Sequence, residues 1–226
     1  MRVNDQFSNS HSNYVRCPMM NSSIRPRKNP SQQRAIATVS AIVEAAARIL
    51  ETEGLPSYTT NTIAARAGVS VGSLYQYFPN RYSITRALIQ RETAALLADL
   101  QKVEDGVGDH TALHSVLALA VSHQLRRPGL ARLLDFEEAR LPMDREMEDS
   151  ARKAAGIVLQ CLQRLGVENK TLPESTHDLM AIVKGMVDAA GQRGETDVQA
   201  VLRRVERAAF GYLGMAPNIA LAQQSP

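Results

Sequence analysis

Residues 59–84 read TTNTIAARAGVSVGSLYQYFPNRYSI, a stretch that predicts two short helices joined by a tight turn. Thr59 and Thr60 are candidate caps of the first helix, because a hydroxyl there can accept hydrogen bonds from the free amides of the first turn. Gly68 tolerates the positive φ that ends such a helix, and Ser70 is a candidate cap of the second. Together they predict a helix-turn-helix, whose second helix can lie in the major groove of DNA.

This stretch and its flanks resemble the TetR/AcrR family of transcriptional regulators. The resemblance runs from about Ile36 to Leu88, roughly a quarter of the chain, and two positions depart from the family pattern. Arg81-Tyr82 stands where the family usually has Lys-Glu, which keeps the positive charge, and Ile84 stands where it has Leu. The matching residues are Gly54, Thr59-Thr60, Ile63-Ala64, Ala67-Gly68-Val69-Ser70, Gly72, Leu74-Tyr75, Tyr77-Phe78 and Arg81.

The composition favours packed helices over sheets. Aromatic residues make up 4% of the chain and Trp is absent, whereas strand-rich folds favour aromatic and β-branched residues. Apolar residues recur every three or four positions along most of the chain after residue 34, as in amphipathic helices. The sequence predicts an all-α protein of about nine helices, and the resemblance implies a three-helix DNA-binding head on a helical body.

Four segments follow from this organisation. Residues 1–33 are rich in Asn, Ser and Pro and are expected to be a disordered basic extension. Residues 34–82 form the DNA-binding domain, 83–216 the ligand-binding and dimerisation domain, and 217–226 a disordered tail. In the extension, Arg25-Pro26-Arg27-Lys28 is either an arm that contacts DNA or a solvated tail that adds only non-specific attraction.

The charge of the chain is unevenly distributed. Its net charge is +3, but residues 1–100 carry 11 Lys and Arg against 6 Asp and Glu, while the remainder carries 15 against 17. A basic first half and a nearly neutral second half suit a polyanion partner at one end of the protein.

A DNA-binding head needs phosphate anchors as well as residues that read bases. Thr59 and Thr60 place hydroxyls and free amides at a helix N-terminus, which favours a phosphate. On the second helix, Gln76 suits an adenine edge and Val71 a thymine methyl group, and Gly72 allows close approach of the backbone. The predicted DNA-binding residues are Thr59, Thr60, Ser70, Val71, Gly72, Ser73, Tyr75, Gln76, Tyr77 and Arg81.

The orientation of the second helix follows from Leu74 and Phe78, which are four residues apart and are expected to face inward. Ser73, Gln76 and Tyr77 are then expected to face away from the head. Tyr75 is ambiguous, because its ring suits the core of the head and its hydroxyl suits a phosphate.

The resemblance implies two further partners, a second copy of the chain and a small effector. A homodimer presents two heads to two half-sites of a double-stranded operator, and an apolar or amphipathic ligand in the body releases a repressor from it. The predicted interface, on the last two helices, comprises Leu179, Val183, Met186, Val187, Val198, Val205 and Ala209, although such stripes also suit a protomer core. The predicted pocket residues are Leu117, Val121, Leu134, Phe136, Met147, Ile157, Cys161 and Met180.

Two other classes of function have weaker support. Gly68-Val69-Ser70-Val71-Gly72 matches the G-x-S-x-G pattern of a hydrolase, but that motif needs a strand before the serine, where a helix is predicted here. His110 and His114 are spaced to share a metal on a helix, but a third ligand is missing. A third alternative keeps the fold without DNA binding. We therefore predict no catalytic residue, metal or cofactor.

Two features address the location of the protein. Cys17 and Cys161 do not form a disulfide framework and are expected to be reduced. The longest apolar run, Val116 to Val121, is too short to span a membrane. The sequence thus predicts a cytoplasmic protein with no membrane partner.

Overall fold

The computed structural model describes residues 33–103, 109–138, 140–142, 144–168 and 170–215. This part of the chain forms α-helices and one 3₁₀ helix, Leu55–Ser57, without a strand, which confirms the all-α prediction. None of its helices combines the length and apolarity that a membrane span requires. The helices are α1 (Gln33–Thr52), α2 (Thr60–Ala67), α3 (Val71–Tyr77), α4 (Arg81–Val103), α5 (Asp109–Arg126), α6 (Pro128–Glu138), α7 (Arg145–Arg164), α8 (Leu172–Gln192) and α9 (Val198–Tyr212).

Some of the predicted segments lie outside the described residues. Gln33 opens α1, while the rest of the predicted extension and the tail at 217–226 lie outside the described residues. So do residues 104–108, which lie between α4 and α5.

The head is formed by α1, α2 and α3, which bury their apolar sides against one another. Ile49 of α1, Ile63 of α2, and Leu74 and Phe78 at α3 are fully buried in this head core. The core also includes residues of later helices, among them Ile84 and Leu88 of α4 and Leu130 of α6. The head is therefore packed directly on the body.

The body is a bundle of α5, α7, α8 and α9 against the second half of α4. Its core includes Leu113, Leu162, Val201 and Val205, each at most 1% exposed. Aspartate side chains cap α7 and α9 by accepting hydrogen bonds from first-turn amides, as the N-cap position favours.

Ion pairs join the head to the body. The buried Arg86 of α4 pairs with Asp144 and, at 3.1 Å, with Glu146, both at the start of α7. Arg91 of α4 lies 3.0 Å from Glu44 of α1. Since α1 is part of the head, the Arg91–Glu44 pair ties the head to the body, whereas the pairs of Arg86 join α4 to α7 within the body.

Candidate nucleic-acid interface

The start of α2 is stabilised by threonine side chains. The Thr59 hydroxyl accepts a hydrogen bond from the Thr62 backbone N–H at 3.2 Å, which confirms Thr59 as the cap of this helix. Thr60 is its first residue, and its hydroxyl lies 3.1 Å from the Tyr75 hydroxyl. The N-terminus of α2 is thereby joined to α3 across the motif.

The turn has the geometry that its residues predict. Gly68 adopts a φ of 68°, in the left-handed region that glycine tolerates, and ends α2. The Ser70 hydroxyl accepts a hydrogen bond from the Ser73 backbone N–H at 3.0 Å and lies 2.8 Å from the Ser73 hydroxyl. The Ser73 hydroxyl therefore already has a partner at the start of α3.

The exposed face of α3 differs in part from the predicted one. Val71, Gly72, Tyr75 and Gln76 are exposed. Tyr77 was expected to face outward, but it is half-buried and packs against the head core. It lies three residues after the buried Leu74, so its Cβ projects from nearly the same side of the helix.

Tyrosine and arginine side chains border this face. Tyr75 is 39% exposed and its hydroxyl contacts Thr60, so the ring lies on the surface of the motif and bridges its two helices. Arg81 is half-buried at the start of α4, and its guanidinium carbon lies 5.1 Å from the centroid of the Tyr82 ring. Arg81 is thus held beside the end of α3.

The head itself carries little net charge. Residues 33–100 include 6 Lys and Arg against 5 Asp and Glu, whereas residues 1–32 include 5 against 1. Within the head, Arg66 is also paired with Glu53. The basic character predicted for the first half of the chain therefore comes mainly from residues outside the described part.

The described residues form neither of the two alternative sites, the hydrolase motif and the histidine metal site. Ser70 follows α2 rather than a strand, and its hydroxyl caps α3, so the geometry of a hydrolase nucleophile is missing. His114 pairs with Glu206 of α9, and the side chain of His110 lies outside the described residues. In the residues that can be assessed, no group of three potential metal ligands comes together.

Three adjoining cavities border α4 in the body. The most apolar, of about 230 Å³, includes Leu117 and Met180 among its lining residues, both predicted for the pocket. Two others of about 180 Å³ each are lined by residues that include Leu134 and Met147, respectively. Four of the predicted pocket residues therefore line cavities, but these are three adjoining cavities rather than one.

The other four predicted pocket residues lie elsewhere. Val121, Ile157 and Cys161 are buried in the body core and line none of these three cavities. Phe136 is 52% exposed, with the Arg140 guanidinium carbon 5.3 Å from its ring centroid. These four residues therefore stand apart from the three cavities, because helical spacing indicates burial but not the partner against which a side chain is buried.

The predicted dimer residues also need correction. Leu179, Val187, Val205 and Ala209 are at most 4% exposed within a single chain, because they belong to the core of the body. Their side chains are therefore not available as a dimer surface. The remaining three, which are half-buried and packed against that core, are Val183, Met186 and Val198.

The outward faces of the last two helices consist of different residues. On α8 they include Ala181 and Gly185, and on α9 Arg203, Arg207 and Gly211. The small residues Gly185 and Gly211 already favoured an interface on these helices from the sequence, but the apolar stripes chosen for it face the core instead.

Comparison with known proteins agrees with this architecture. The sequence profile for bacterial regulatory proteins of the tetR family matches residues 42–88. The nucleoid occlusion factor SlmA of Vibrio campbellii is 30% identical over 159 residues, which cover 67% of this chain and 81% of the relative.

Solved structures with low sequence identity share the fold. A regulatory protein in the tetR family from Rhodococcus superposes with a TM-score of 0.64 at 16% identity, covering 79% of this chain and 98% of its own. The triclosan complex of SmeT, the repressor of a Stenotrophomonas maltophilia multidrug efflux pump, gives 0.57 at 22% identity, covering 80% and 96%.

The helix-turn-helix head on a helical body defines a DNA-binding regulator. The chain belongs to the TetR family of bacterial regulatory proteins. Proteins of this family regulate transcription by binding DNA and are not enzymes, and this chain is accordingly a DNA-binding regulator without catalytic function.

Proposed function

We propose that this protein is a sequence-specific repressor, which binds its operator as a homodimer and leaves it when a small apolar or amphipathic ligand occupies the body. The observation that carries the proposal is the exposed face of α3. Val71, Gly72 and Gln76 stand clear of the head core there. A helix placed in the major groove reads bases through such side chains.

Phosphate contacts in this proposal come from the edges of the motif. The Thr60 and Tyr75 hydroxyls form a hydrogen-bonded pair beside the N-terminus of α2. The positive end of the helix dipole favours a phosphate there, and either hydroxyl can donate to it. Arg81, held beside the end of α3, adds a positive charge on the same side of the head.

Base reading is assigned chiefly to Gln76 and Val71. Replacing Gln76 by Ala is expected to weaken specific binding by about 1–3 kcal/mol while leaving non-specific binding unchanged. The experiment titrates labelled DNA from upstream of the protein's own gene, or DNA enriched by selection, against a scrambled competitor. Gln160→Ala, at an exposed position of α7, is the matched control. Equal operator affinity of Gln76→Ala and Gln160→Ala would exclude Gln76 as a base contact.

The basic segment Arg25-Pro26-Arg27-Lys28 is the second source of DNA affinity that we propose. The described head has nearly balanced charges, so phosphate neutralisation has to come largely from residues outside it. Replacing Arg25, Arg27 and Lys28 together by Gln is expected to reduce the slope of log affinity against log salt by up to about 3, at about 0.9 per phosphate contact. An unchanged slope would favour the solvated-tail alternative.

The homodimer is assigned to the outward faces of α8 and α9. Ala181, Gly185 and Gly211 are small and exposed, so helices of two copies can approach closely along these faces. Gly185→Arg is expected to convert the dimer to a monomer in sedimentation analysis, while Ala98→Arg, at an exposed position of α4, leaves it intact. A Gly185→Arg protein that remains dimeric would exclude this face.

The effector is assigned to the cavities along α4, which adjoin the residues that tie α1 to the body. Arg127 lines one cavity and lies 2.6 Å from Glu51 of α1. A ligand that binds the two arrangements of the heads with different affinity shifts their populations. SmeT, a repressor with a similar fold, forms a complex with triclosan.

A second candidate function is nucleoid occlusion, the role for which the SlmA relatives are named. The similarity to SlmA extends over 159 residues and thus well beyond the 47 residues of the head that match the family profile. Genome-wide mapping of bound sites separates the two. A few sites upstream of genes support the repressor, and many sites spread along the chromosome support the second candidate.

A further inference from the structure

The most apolar of the three cavities has charged residues along one wall. Leu96, Leu113, Leu117 and Met180 contribute to an apolar interior of about 230 Å³ between α4, α5, α7 and α8. Lys184 and Asp188 line the same cavity from α8. The cavity therefore combines an apolar interior with a charged end, which suits an amphipathic molecule.

A set of three carboxylates surrounds Lys184 at this end. The Lys184 ammonium lies 3.0 Å from Asp188 and 3.6 Å from Asp135, and Glu138 lines the adjoining cavity beside them. Gln124, which is 9% exposed, donates a hydrogen bond from its side-chain amide to Asp135 at 2.9 Å and helps to hold it in place. Within a single chain the Lys184 side chain is 62% exposed, so its ammonium can move away from Asp188 without disturbing the core.

The carboxylates outnumber the positive charge that faces them. Burial, and secondarily the charge of Arg126, lowers the pKa of His123, so its imidazole is neutral at neutral pH. Arg126 lies 3.8 Å from Glu92, and Arg127 is paired with Glu51 of α1. These two arginines therefore face carboxylates other than the set around Lys184.

The protonation behaviour of the set agrees with an excess of negative charge. Burial, together with the charges of Asp135 and Asp188, raises the pKa of Glu138. Burial also raises the pKa of Asp188, with a further contribution from Asp135, although the hydrogen bond from Lys184 opposes it. A cation held beside these groups relieves this repulsion, and Lys184 supplies that cation in the unliganded protein.

We propose that the ligand of this cavity is an amphipathic cation, whose apolar part fills the cavity and whose ammonium group replaces that of Lys184 between Asp135 and Asp188. The proposal rests on the effector function assigned above to the cavity. Lys184 acts as an internal substitute for the ligand, because a flexible, exposed ammonium satisfies the carboxylates until a cation with its own apolar anchor arrives. An anionic amphiphile, such as a fatty acid, would instead place its charge among three carboxylates.

Three probes with the same tail test the charge of the head group. Decylammonium, decanoate and decanol, each below its micellar concentration, are titrated calorimetrically into the full-length protein without DNA. Decylammonium is expected to bind at least about tenfold more tightly than decanoate, since only the ammonium can donate charge-assisted hydrogen bonds to the carboxylates. Decanol is expected to lie between them.

Single substitutions distinguish this site from an anion site at Lys184. Asp188→Asn is expected to weaken decylammonium binding about tenfold and to leave decanol unchanged. Lys184→Ala is expected to strengthen decylammonium binding, because it removes the internal competitor. Asp149→Asn, an exposed residue paired with Arg152, is the control for loss of a carboxylate elsewhere.

Three results would overturn the inference: tighter binding of decanoate with loss on Lys184→Ala, equal binding of all three probes, or binding of none. Operator titration of the same preparation separates this failure from a failure of the proposed function. Specific DNA binding by a protein that rejects decylammonium would leave the repressor proposal standing and exclude only the cationic ligand.

Discussion

The head and the body pack their apolar residues in different ways. In the head, Ile49, Ile63, Leu74 and Phe78 are fully buried and line none of the three cavities described along α4. In the body, a side chain as deeply buried as Leu117 still borders an open volume of about 230 Å³. The region assigned to a ligand therefore leaves room for one, whereas these four residues beneath the DNA-binding motif border none of the three cavities.

This difference matches the demands of the two tasks. Base reading requires side chains held in place by a rigid support, so a closely packed core beneath α3 is expected. Effector binding requires space together with a connection to the head. Arg91 and Arg127 supply that connection, because they reach Glu44 and Glu51 of α1 from the helices that border the cavities.

The largest predicted effect compares the same substitution in the two regions. Leu74→Ala is expected to lower the free energy of unfolding by about 4–5 kcal/mol, and Leu117→Ala by only about 2–3 kcal/mol. Both leucines are at most 1% exposed, but Leu117 already faces a void and has fewer neighbouring atoms to lose. Denaturant unfolding of the two variants measures the difference. Equal losses would show that the cavity is closed in solution.

The next effect concerns the buried ion pair that joins α4 to α7 in the body. Arg86→Met is expected to cost about 3 kcal/mol, because it leaves Asp144 without its cationic partner. Asp144→Asn keeps the oxygen that caps α7 and removes only the charge. Adding Asp144→Asn to Arg86→Met is therefore expected to recover part of the stability. Purely additive losses in the double-mutant cycle would argue against a direct interaction.

A smaller effect is predicted at the turn of the motif. Gly68→Ala is expected to destabilise the head by about 1 kcal/mol, because alanine is strained at a φ of 68°. Space is not the cause, since a Cβ added there meets no atom within 4 Å. Thermal unfolding measures the loss. Gly156→Ala, at a helical glycine of α7 where an added Cβ meets no atom within 4 Å, is the control and is expected to be neutral or stabilising.

The smallest predicted effects are pH-dependent changes in the free energy of unfolding, and their signs are opposite in the two regions. Burial raises the pKa of Glu138 at the cavity, so Glu138→Gln is expected to stabilise the protein at neutral pH. This gain should vanish as the pH falls through the raised pKa, because the folded wild type then takes up a proton more readily than the unfolded chain.

Glu44, at the junction of head and body, is the opposite case. Burial favours a higher pKa, but Arg48, Arg91 and Arg127 outweigh it and lower the pKa of Glu44. Glu44→Gln is therefore expected to destabilise the protein at neutral pH, with a penalty that disappears as the pH falls through the lowered pKa. Unfolding curves between neutral and acidic pH measure both variants. The same sign for both would contradict the assigned environments.

The helix-turn-helix could be predicted from the sequence because its determinants are local. The cap hydroxyls of Thr59 and Ser70 bond to amides three residues further on, and the positive φ of Gly68 is a property of that residue alone. Interactions of this range are visible in the order of residues without knowledge of their distant neighbours.

Tertiary packing decided which apolar residues remain available for partners. Leu179 and Val205 have the spacing expected of an interface, but they are buried in the core of their own chain. A periodic stripe specifies which side of a helix is buried and contains no information about what covers it. The cavities are still less visible in the sequence, because each is a volume that several helices, distant in the chain, fail to fill.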